Sequence, residues 1–209
     1  GYMSEDDLTL VFDLGGVFFT RGTYLAIEKI KDIYNIDGWQ KLREIFEDRS
    51  EKEGNLLRKG LISMEEFEKR FVDYFNIEID DIHHIRKVWF GSYVPYYGME
   101  ELVRKLSENY RLLIFSGNIR ERIQFLNNRY DFLKYFDTTV FSYDYQSNKR
   151  EQKFYKVLID NLQYKPENAI LIDDEKRNVK MAQDMGFQAC LYYYTEQLTK
   201  ELEKFEIKI

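Results

Sequence analysis

The chain has 209 residues, of which 44% are hydrophobic and 33% charged, and its formal net charge is -6. This length allows one medium α/β domain, or a core domain with a smaller insert, that buries a sizeable hydrophobic core. The interleaved charges of both signs are typical of a soluble globular protein and exclude a disordered one. Because there is no long stripe of lysine and arginine, nucleic acid is excluded as the primary ligand.

The cysteine content and the apolar runs bear on the location of the protein. A single cysteine, Cys190, cannot form an internal disulfide, and the apolar runs are far too short to span a bilayer. The first residues are acidic and lack the pattern of a signal peptide. We therefore expect a cytoplasmic protein with no membrane partner. The sequence does not decide between a monomer and a homodimer.

Short apolar runs of strand length recur between longer helical patterns. The predicted strands are residues 8–12, 112–115, 138–141, 169–172 and 189–194. The helical patterns cover residues 99–108, 119–130, 151–163 and 176–185. Strands that alternate with helices in this way predict a doubly wound α/β fold, in which helices cover both faces of a parallel sheet.

Residues 20–97 differ from the rest, because they show helical periodicity almost throughout and no convincing strand. Ser63 followed by Glu66 is a capping box that predicts the start of a helix. Pro95 marks the return of this block to the remainder of the chain. We interpret the block as an all-helical domain inserted after the first strand. The core domain would then comprise residues 3–19 and 98–209.

Four segments carry polar residues at or just after the C-terminal ends of predicted strands. They contain Asp13 in VFDLGGV, Ser116 in IFSGN, Lys149 in SYDYQSNKREQKFY, and Asp173 with Asp174 in LIDDEKRNV. Open α/β sheets bind ligands at this edge, so the sheet would gather the four segments in one crevice. Each residue alone is more often a helix cap, a turn residue or a solvated charge. All four at strand ends are poorly explained by chance.

The acidic residues suit phosphoryl transfer through an enzyme carboxylate. Asp13 is the candidate nucleophile, since a carboxylate can attack phosphorus. Mg²⁺ prefers oxygen ligands, and Asp13, Asp173, Asp174 and the backbone carbonyl of Gly15 supply a suitable set. The acids therefore predict a magnesium site that includes the nucleophile.

The other two segments suit the phosphate. The hydroxyl of Ser116 and the N–H groups of Gly117 and Asn118 would lie at a helix N-terminus, which favours phosphate oxygens. Lys149 would tie Asp13 to the phosphate. The predicted catalytic residues are Asp13, Ser116 and Lys149. The predicted phosphate-binding residues are Gly15, Gly16, Ser116, Gly117, Asn118 and Lys149.

In this order the segments resemble the haloacid dehalogenase superfamily, whose motifs run nucleophile Asp, Ser or Thr, Lys, and paired acids. They read here FDLGGV, FSGN, SYDYQSNK with KFY following, and IDDEKRNVKMAQDMGF. The resemblance covers essentially the whole chain. It is to the branch with a helical cap after the first motif, which includes sugar-phosphate phosphatases and the phosphatase-like N-terminal domain of epoxide hydrolases.

The resemblance implies a Rossmann-like core with the helical insert as a lid. It also implies a Mg²⁺-dependent phosphatase of a small phosphorylated metabolite, with an aspartyl-phosphate intermediate on Asp13. Two positions depart from the family pattern: Gly15 replaces the second Asp, which acts as general acid and base, and Arg150 replaces the usual proline after Lys149. Because a general acid is worth on the order of 10²–10⁴-fold in rate, we hypothesise substrates with good leaving groups, such as anomeric sugar, acyl or aryl phosphates.

Two alternative functions remain. A dehalogenase attacks carbon without a metal, but the Asp173–Asp174 pair makes sense only with a cation to neutralise it. A binding protein that lost its activity at Gly15 would also fit the pattern. A receiver domain is excluded because its acid pair follows the first strand, and a dinucleotide site because DLGG lacks the G-x-G-x-x-G spacing.

Overall fold

Five parallel strands form the central sheet in the computed structural model, which describes residues 7–49 and 51–209. The strands are β1 (Thr9–Phe12), β2 (Arg111–Ser116), β3 (Thr138–Phe141), β4 (Ala169–Asp173) and β5 (Gln188–Leu191), in the order β3-β2-β1-β4-β5. The prediction of a doubly wound parallel sheet is confirmed. Most of the acidic N-terminal segment on which the expected location rests lies outside the described residues.

The register of the strands places the polar segments side by side. β1 lies at the centre of the sheet, where Phe12 pairs with Ile114 of β2 and with Ile172 of β4. The residues that follow these positions along the three strands therefore lie at the same edge of the sheet. This edge is the carboxyl end of a parallel sheet. It contains the switch point at β1, from which later strands are added on both sides.

The structure has eleven α-helices in the described residues, ten between strands and one after the last strand. They are α1 (Gly22–Ile33), α2 (Trp39–Phe46), α3 (Glu53–Arg58), α4 (Met64–Phe75), α5 (His84–Gly91), α6 (Met99–Ser107), α7 (Arg120–Tyr130), α8 (Ser142–Tyr145), α9 (Gln152–Asp160), α10 (Lys176–Asp184) and α11 (Thr195–Lys204). None of the helices in the described part of the chain has the length and apolar character that crossing a membrane requires.

Successive strand residues pack on opposite faces of the sheet, since side chains alternate along a strand. Leu10 and Phe12 belong to a hydrophobic cluster that contains α6, α7 and α11. Val11 belongs to a second cluster, with Phe154 of α9 and Ala182 of α10. Burial of both faces explains why the strands read as continuous apolar runs rather than alternating ones.

Helices α1 to α5 fall within residues 20–97, as the helical periodicity predicts. The N-cap prediction is confirmed, because the Ser63 hydroxyl accepts a hydrogen bond of 3.0 Å from the Glu66 N–H. The Glu66 carboxylate instead accepts from Arg70 at 2.9 Å. Phe19 forms an isolated antiparallel bridge with Pro95, which joins the start and the end of the helical block. The division into two domains remains a prediction.

The last strand is shorter than predicted. β5 ends at Leu191, whereas the apolar pattern extends to residue 194. Tyr194 is instead the N-cap residue of α11, and the Gln197 side chain accepts from the Tyr193 and Tyr194 N–H groups at 2.9 and 3.5 Å. The backbone donors that would continue the strand therefore cap a helix. An aromatic run reads as a strand from sequence even where its residues begin a helix.

Candidate active site

Three carboxylates meet where β1 and β4 end. Asp13 directly follows β1, Asp173 is the last residue of β4, and Asp174 follows it. Each of the three offers one oxygen, and these atoms lie within 4.8 Å of one another. The main-chain N–H of Asp13 donates to the Ile172 carbonyl at 3.1 Å, which fixes the two strand ends together. The predicted acids are thus brought into one cluster that is compact enough to bind a metal ion.

Lys149 reaches this cluster from the loop that precedes α9. Its Nζ lies 3.2 Å from Asp13 Oδ1 and 2.8 Å from Asp173 Oδ2. Asp173 is fully buried and also accepts from Asn178 Nδ2 at 3.2 Å and from the Glu175 N–H at 2.9 Å. Asp173 therefore has the partners that a buried carboxylate needs, and it orients Lys149 towards Asp13.

Burial and the neighbouring acids disfavour negative charge on two of the three carboxylates. Burial raises the pKa of Asp13 well above its ordinary value, and Asp173 and Asp174 add to the rise, against the opposing effect of Lys149. Burial and Asp173 likewise raise the pKa of Asp174, although Arg21 opposes the rise from 2.6 Å. Burial disfavours the charge of Lys149, but the neighbouring acids Asp13 and Asp173 outweigh it and raise the Lys149 pKa. The two cations do not fully neutralise the three acids.

The Gly15–Gly16 turn after Asp13 packs directly against the cluster. Gly16 has a φ of +91°, and a Cβ there would lie 2.2 Å from Asp174 Oδ2, so only glycine fits. The Gly16 N–H donates to the Phe19 carbonyl at 2.7 Å. Gly15 lines the cavity at the site, whereas Gly16 does not. The N–H of Gly16 is thus engaged within the loop, and the phosphate-binding role of Gly16 remains a prediction.

The segment after β2 supplies a second polar wall. Gly117 and Asn118 line the cavity, whereas Ser116 is fully buried and does not. The Ser116 hydroxyl accepts from Asn118 Nδ2 at 3.1 Å, and the Asn118 N–H donates to the Ser142 hydroxyl at 3.0 Å. In this arrangement the Asn118 N–H is engaged within the protein. The predicted phosphate-binding roles of these residues remain predictions.

The cavity between the sheet edge and helices of residues 20–97 has a volume of about 170 Å³. From the predicted set it is lined by Asp13, Gly15, Gly117, Asn118, Lys149 and Asp174. Its other lining residues include Arg21, Thr23, Arg58, Tyr93, Arg122 and Asn178. The helical block thus contributes directly to the walls of the site.

Arg150 explains how the loop of Lys149 is held without the usual proline. Its N–H donates to Asn148 Oδ1 at 3.0 Å, a bond that proline could not make. Its guanidinium donates to the Asp48 carbonyl at 2.7 Å. Arg150 therefore ties this loop to the helical block.

Sequence reasoning missed Arg122 and Arg58, which line the cavity and are 3% and 6% exposed. A single arginine in a helical pattern is usually solvated, so neither residue carried a signal by itself. The IRER run gives no indication of which of its two arginines is buried. Among the aromatic residues in and beside the insert, Tyr24 and Tyr93 line the cavity, whereas Trp39, Trp89, Tyr96 and Tyr97 do not.

The fold is similar to those of solved haloacid dehalogenase-type proteins. A HAD family enzyme from Bacteroides thetaiotaomicron, in complex with magnesium and inorganic phosphate, matches with a TM-score of 0.80 at 23% identity over 93% of this chain and 98% of that one. The L-2-haloacid dehalogenase from Xanthobacter autotrophicus matches with a TM-score of 0.61 at 14% identity, over 96% and 84% of the two chains. At these identities the comparison establishes the fold alone.

The sequence relatives give less information about function than the solved structures. An uncharacterized protein of Dictyostelium discoideum is 30% identical over 75% of this chain and 68% of its own length. Bifunctional epoxide hydrolase 2 of Mus musculus is 35% identical over 34% of this chain and 13% of its own length. The second match agrees with the resemblance to the phosphatase-like branch and spans a small part of that protein.

The family model described as haloacid dehalogenase-like hydrolase matches residues 20–192. This match spans most of the chain, from the first residues after the DLGG turn to the end of the sheet. It includes the segments of Ser116, Lys149 and Asp173–Asp174, and the segment of Asp13 precedes it. The chain belongs to the haloacid dehalogenase-like hydrolase family.

Proposed function

We propose that the protein is a Mg²⁺-dependent phosphatase of a small phosphorylated metabolite. The observation that carries this proposal is the position of Asp13 beside two further carboxylates and a buried lysine. A dehalogenase works without a metal ion, so three acids whose negative charge is not fully neutralised would not serve its reaction. A phosphatase needs both a nucleophilic carboxylate and a cation beside it.

The acid cluster fits a hard divalent cation. Its donors are carboxylate oxygens, which Mg²⁺ prefers, and they lie within 4.8 Å of one another. Burial and repulsion between the acids raise the pKa values of Asp13 and Asp174, and a bound cation would oppose both effects. Asp13, Asp174 and the Gly15 carbonyl would hold the ion, together with Asp173. When bound, the ion supplies positive charge to both the attacking carboxylate and the phosphoryl oxygens.

The residues of the chain then divide the reaction between them. Asp13 attacks phosphorus, the bond from phosphorus to the leaving-group oxygen breaks, and an aspartyl phosphate forms on Asp13. Lys149 stabilises the negative charge that the phosphoryl oxygens carry, and Asp173 and Asn178 keep it in place. Water then attacks the phosphorus, which releases inorganic phosphate and restores the Asp13 carboxylate. The net reaction is hydrolysis of a phosphate monoester.

Gly15 restricts the substrates, because no side chain at this position can donate a proton to the leaving group. The leaving oxygen must then depart as an anion or take its proton from water. Aryl, acyl and anomeric sugar phosphates have leaving groups that do so readily. We therefore propose that such esters react fastest.

We further propose that residues 20–97 form the lid of the site. Tyr93, Arg58 and Thr23 from this block line the cavity together with Asp13. The Ser142 hydroxyl of the sheet-bearing part donates to the Arg58 carbonyl at 2.6 Å, so the block rests on the core in this structure. Opening of these contacts would admit substrate. The single buried thiol, Cys190, suits the cytoplasmic location that we propose.

Phosphate release from a panel of aryl, acyl, sugar and nucleotide phosphates tests the function. We expect release with Mg²⁺ and none with chelator. Asp13→Asn keeps the shape of the side chain but removes the nucleophile, so the rate should fall by at least about 10⁴-fold. Asp184→Asn is the matched control, since Asp184 is exposed and pairs with Lys180 on the surface.

Three outcomes distinguish the candidate functions. Metal-dependent release that Asp13→Asn abolishes supports the phosphatase. Metal-independent release of halide from a 2-haloacid, without phosphatase activity, would favour the dehalogenase. Magnesium binding without any turnover would favour a binding protein that lost the reaction at Gly15.

A further inference from the structure

One wall of the cavity carries two buried arginines that the reaction at Asp13 does not use. Arg122 on α7 and Arg58 at the end of α3 both line the cavity, and both are almost completely buried. Their guanidinium carbons lie 5.4 and 5.6 Å from the centre of the same Trp89 ring. Two positive charges therefore pack on the same aromatic ring beside the cavity.

The hydrogen-bond partners of these arginines are neutral. Arg122 Nε donates to Asn118 Oδ1 at 2.8 Å and Nη1 donates to the Tyr93 hydroxyl at 2.9 Å. Arg58 Nη1 donates to the carbonyls of Phe46 and Gly54 at 2.8 and 2.9 Å. Within residues 7–49 and 51–209, no carboxylate oxygen lies within 4.0 Å of a guanidinium nitrogen of Arg122 or Arg58. A guanidinium has five donors, so each retains hydrogen-bonding capacity.

The other arginines around the cavity are paired with acids. Arg21 lies 2.6 Å from Asp174, and Arg49 lies 3.1 Å from Glu175. Arg150 lies 3.7 Å from an Asp48 oxygen. Arg122 and Arg58 differ from these arginines because no carboxylate contacts them directly, although Asp48 interacts with both electrostatically.

The local electrostatics leave the positive charge of Arg122 only partly balanced. Burial lowers the pKa of Arg122 to about 10, and the charge of Arg58 adds to the decrease, whereas Tyr93 and Asp48 oppose it. Asp48 also interacts with Arg58, which lowers the pKa of the Asp48 carboxyl. A buried guanidinium without a carboxylate in direct contact is stabilised when an anion completes its site. An anionic group of a ligand would supply that counter-ion, and arginine binds carboxylates through two parallel hydrogen bonds.

We infer that Arg122, assisted by Arg58, binds a carboxylate on the leaving group of the substrate, and that the substrates are small phosphorylated carboxylic acids. This inference rests on the proposed phosphatase function and names its substrate class. The phosphate would lie at Asp13 and Lys149, and the carboxylate at the arginine wall of the same cavity. Arg122 lies next to the segment after β2, because its hydrogen-bond partner Asn118 also lines the cavity.

The size of the cavity limits the substrate. The cavity has a volume of about 170 Å³. A phosphate with a short carbon chain and a carboxylate fits such a space. We therefore place the second anion on a small leaving group.

The test compares two ligands that differ in one charge. Phosphonoacetate carries a phosphonate and a carboxylate, and phosphonoacetamide replaces the carboxylate by a neutral amide of the same shape. Calorimetric titration of each into the Mg²⁺-loaded full chain measures its affinity without turnover. We expect phosphonoacetate to bind at least about tenfold more tightly, as a charge-assisted pair requires. Arg122→Met should reduce this preference to within about twofold.

Arg120→Met is the matched control on the same helix. Arg120 lies two residues away, is exposed, pairs with Asp144 at the surface and does not line the cavity. It should retain the full preference for phosphonoacetate. Arg122→Lys, which keeps the charge but loses the planar fork, should retain a reduced preference. This variant keeps the test valid if Arg122→Met does not fold.

Equal affinity of the intact protein for the two ligands would overturn the inference, and no variant is needed for that result. If phosphate release from the panel persists in that case, the phosphatase function stands and only the substrate class is wrong. If neither phosphonate binds and no phosphate ester is hydrolysed, the proposed function itself fails. A preference that Arg120→Met and Arg122→Met reduce equally would also overturn the role of Arg122.

Discussion

The two ends of the cavity bury charge in opposite ways. At the carboxylate end, Asp13, Asp173 and Asp174 are gathered by the ends of two adjacent strands, and the cations Lys149 and Arg21 partly balance them. At the arginine end, neutral acceptors and the Trp89 ring hold Arg122 and Arg58. The first end is built by the sheet, and the second by packing between helices.

This difference predicts which kind of substitution damages the structure of each end. The carboxylate end depends on close approach of the backbone, because its oxygens crowd within 4.8 Å and the Gly16 turn touches Asp174. The arginine end depends on hydroxyl and amide partners, since each guanidinium donor would otherwise be buried without an acceptor. Changes to shape should therefore damage the first end most, and changes to hydrogen bonding the second.

The largest effect is expected from adding a proton donor to the carboxylate end. Gly15→Asp restores an acid beside Asp13 and should raise kcat/KM for an alkyl phosphate by on the order of 10²–10⁴-fold. A Cβ at Gly15 would lie 3.6 Å from the Tyr93 ring, which is an ordinary contact, so a side chain is sterically acceptable. The rate on 4-nitrophenyl phosphate should change far less, because its leaving group needs no proton.

Gly15→Asn is the matched control for this gain, as it has the same shape without a titratable acid. It should leave the alkyl phosphate rate unchanged. An equal gain from both substitutions would show that Gly15 limits the rate through loop conformation and not through the missing acid. Kinetics on the two substrates decide the question.

The next effect tests the close approach of the backbone. Gly16→Ala should lower the free energy of unfolding by about 3 kcal/mol, because it strains a left-handed residue and forces Asp174 to move. Gly91→Ala is the control, since a Cβ at this end of α5 meets nothing within 4 Å. It should be neutral or stabilising by up to about 1 kcal/mol.

Urea unfolding in the presence of Mg²⁺ measures both variants. Gly16→Ala should also weaken magnesium binding, because Asp174 is displaced. If Gly16→Ala and Gly91→Ala proved equally stable, the contact of the turn with the carboxylate end would be too soft to define the site.

The carboxylate end could be predicted from sequence because its residues are fixed by strand ends. Asp13, Asp173 and Asp174 leave β1 and β4 at neighbouring positions, and parallel pairing alone brings them together. Lys149 follows from chemistry, since buried acids require a cation. The fold was equally accessible, because each apolar run has strand length and each helix keeps its periodicity.

The arginine end could not be predicted in the same way. Arg120 and Arg122 lie in the same helical pattern, and only the packing of α5 against α7 decides which of them is buried. Tyr93 lies after α5, far from Arg122 in the chain. The engagement of the Gly16 and Asn118 N–H groups within the protein likewise depends on loop geometry, which residue types do not encode.

The smallest expected effects are losses in the free energy of unfolding when one polar contact is removed from each end. Tyr93→Phe removes the hydroxyl that accepts from Arg122 Nη1 and contacts the Thr23 hydroxyl, and it leaves a buried charged donor without its acceptor. We expect a loss of about 2 kcal/mol in the free energy of unfolding. Arg21→Met removes an ion pair with Asp174 whose arginine side chain is 57% exposed, so its loss should cost no more than about 1 kcal/mol.

Both variants should be unfolded in urea with saturating Mg²⁺, so that the acid cluster does not gain repulsion when Arg21 is removed. Phosphonoacetate should then stabilise the Arg21→Met protein as fully as the intact one. It should stabilise the Tyr93→Phe protein less, because Arg122 loses the partner that orients it. A larger cost for Arg21→Met than for Tyr93→Phe would reverse the comparison, since an exposed ion pair would then hold the cavity together more strongly than a buried hydroxyl.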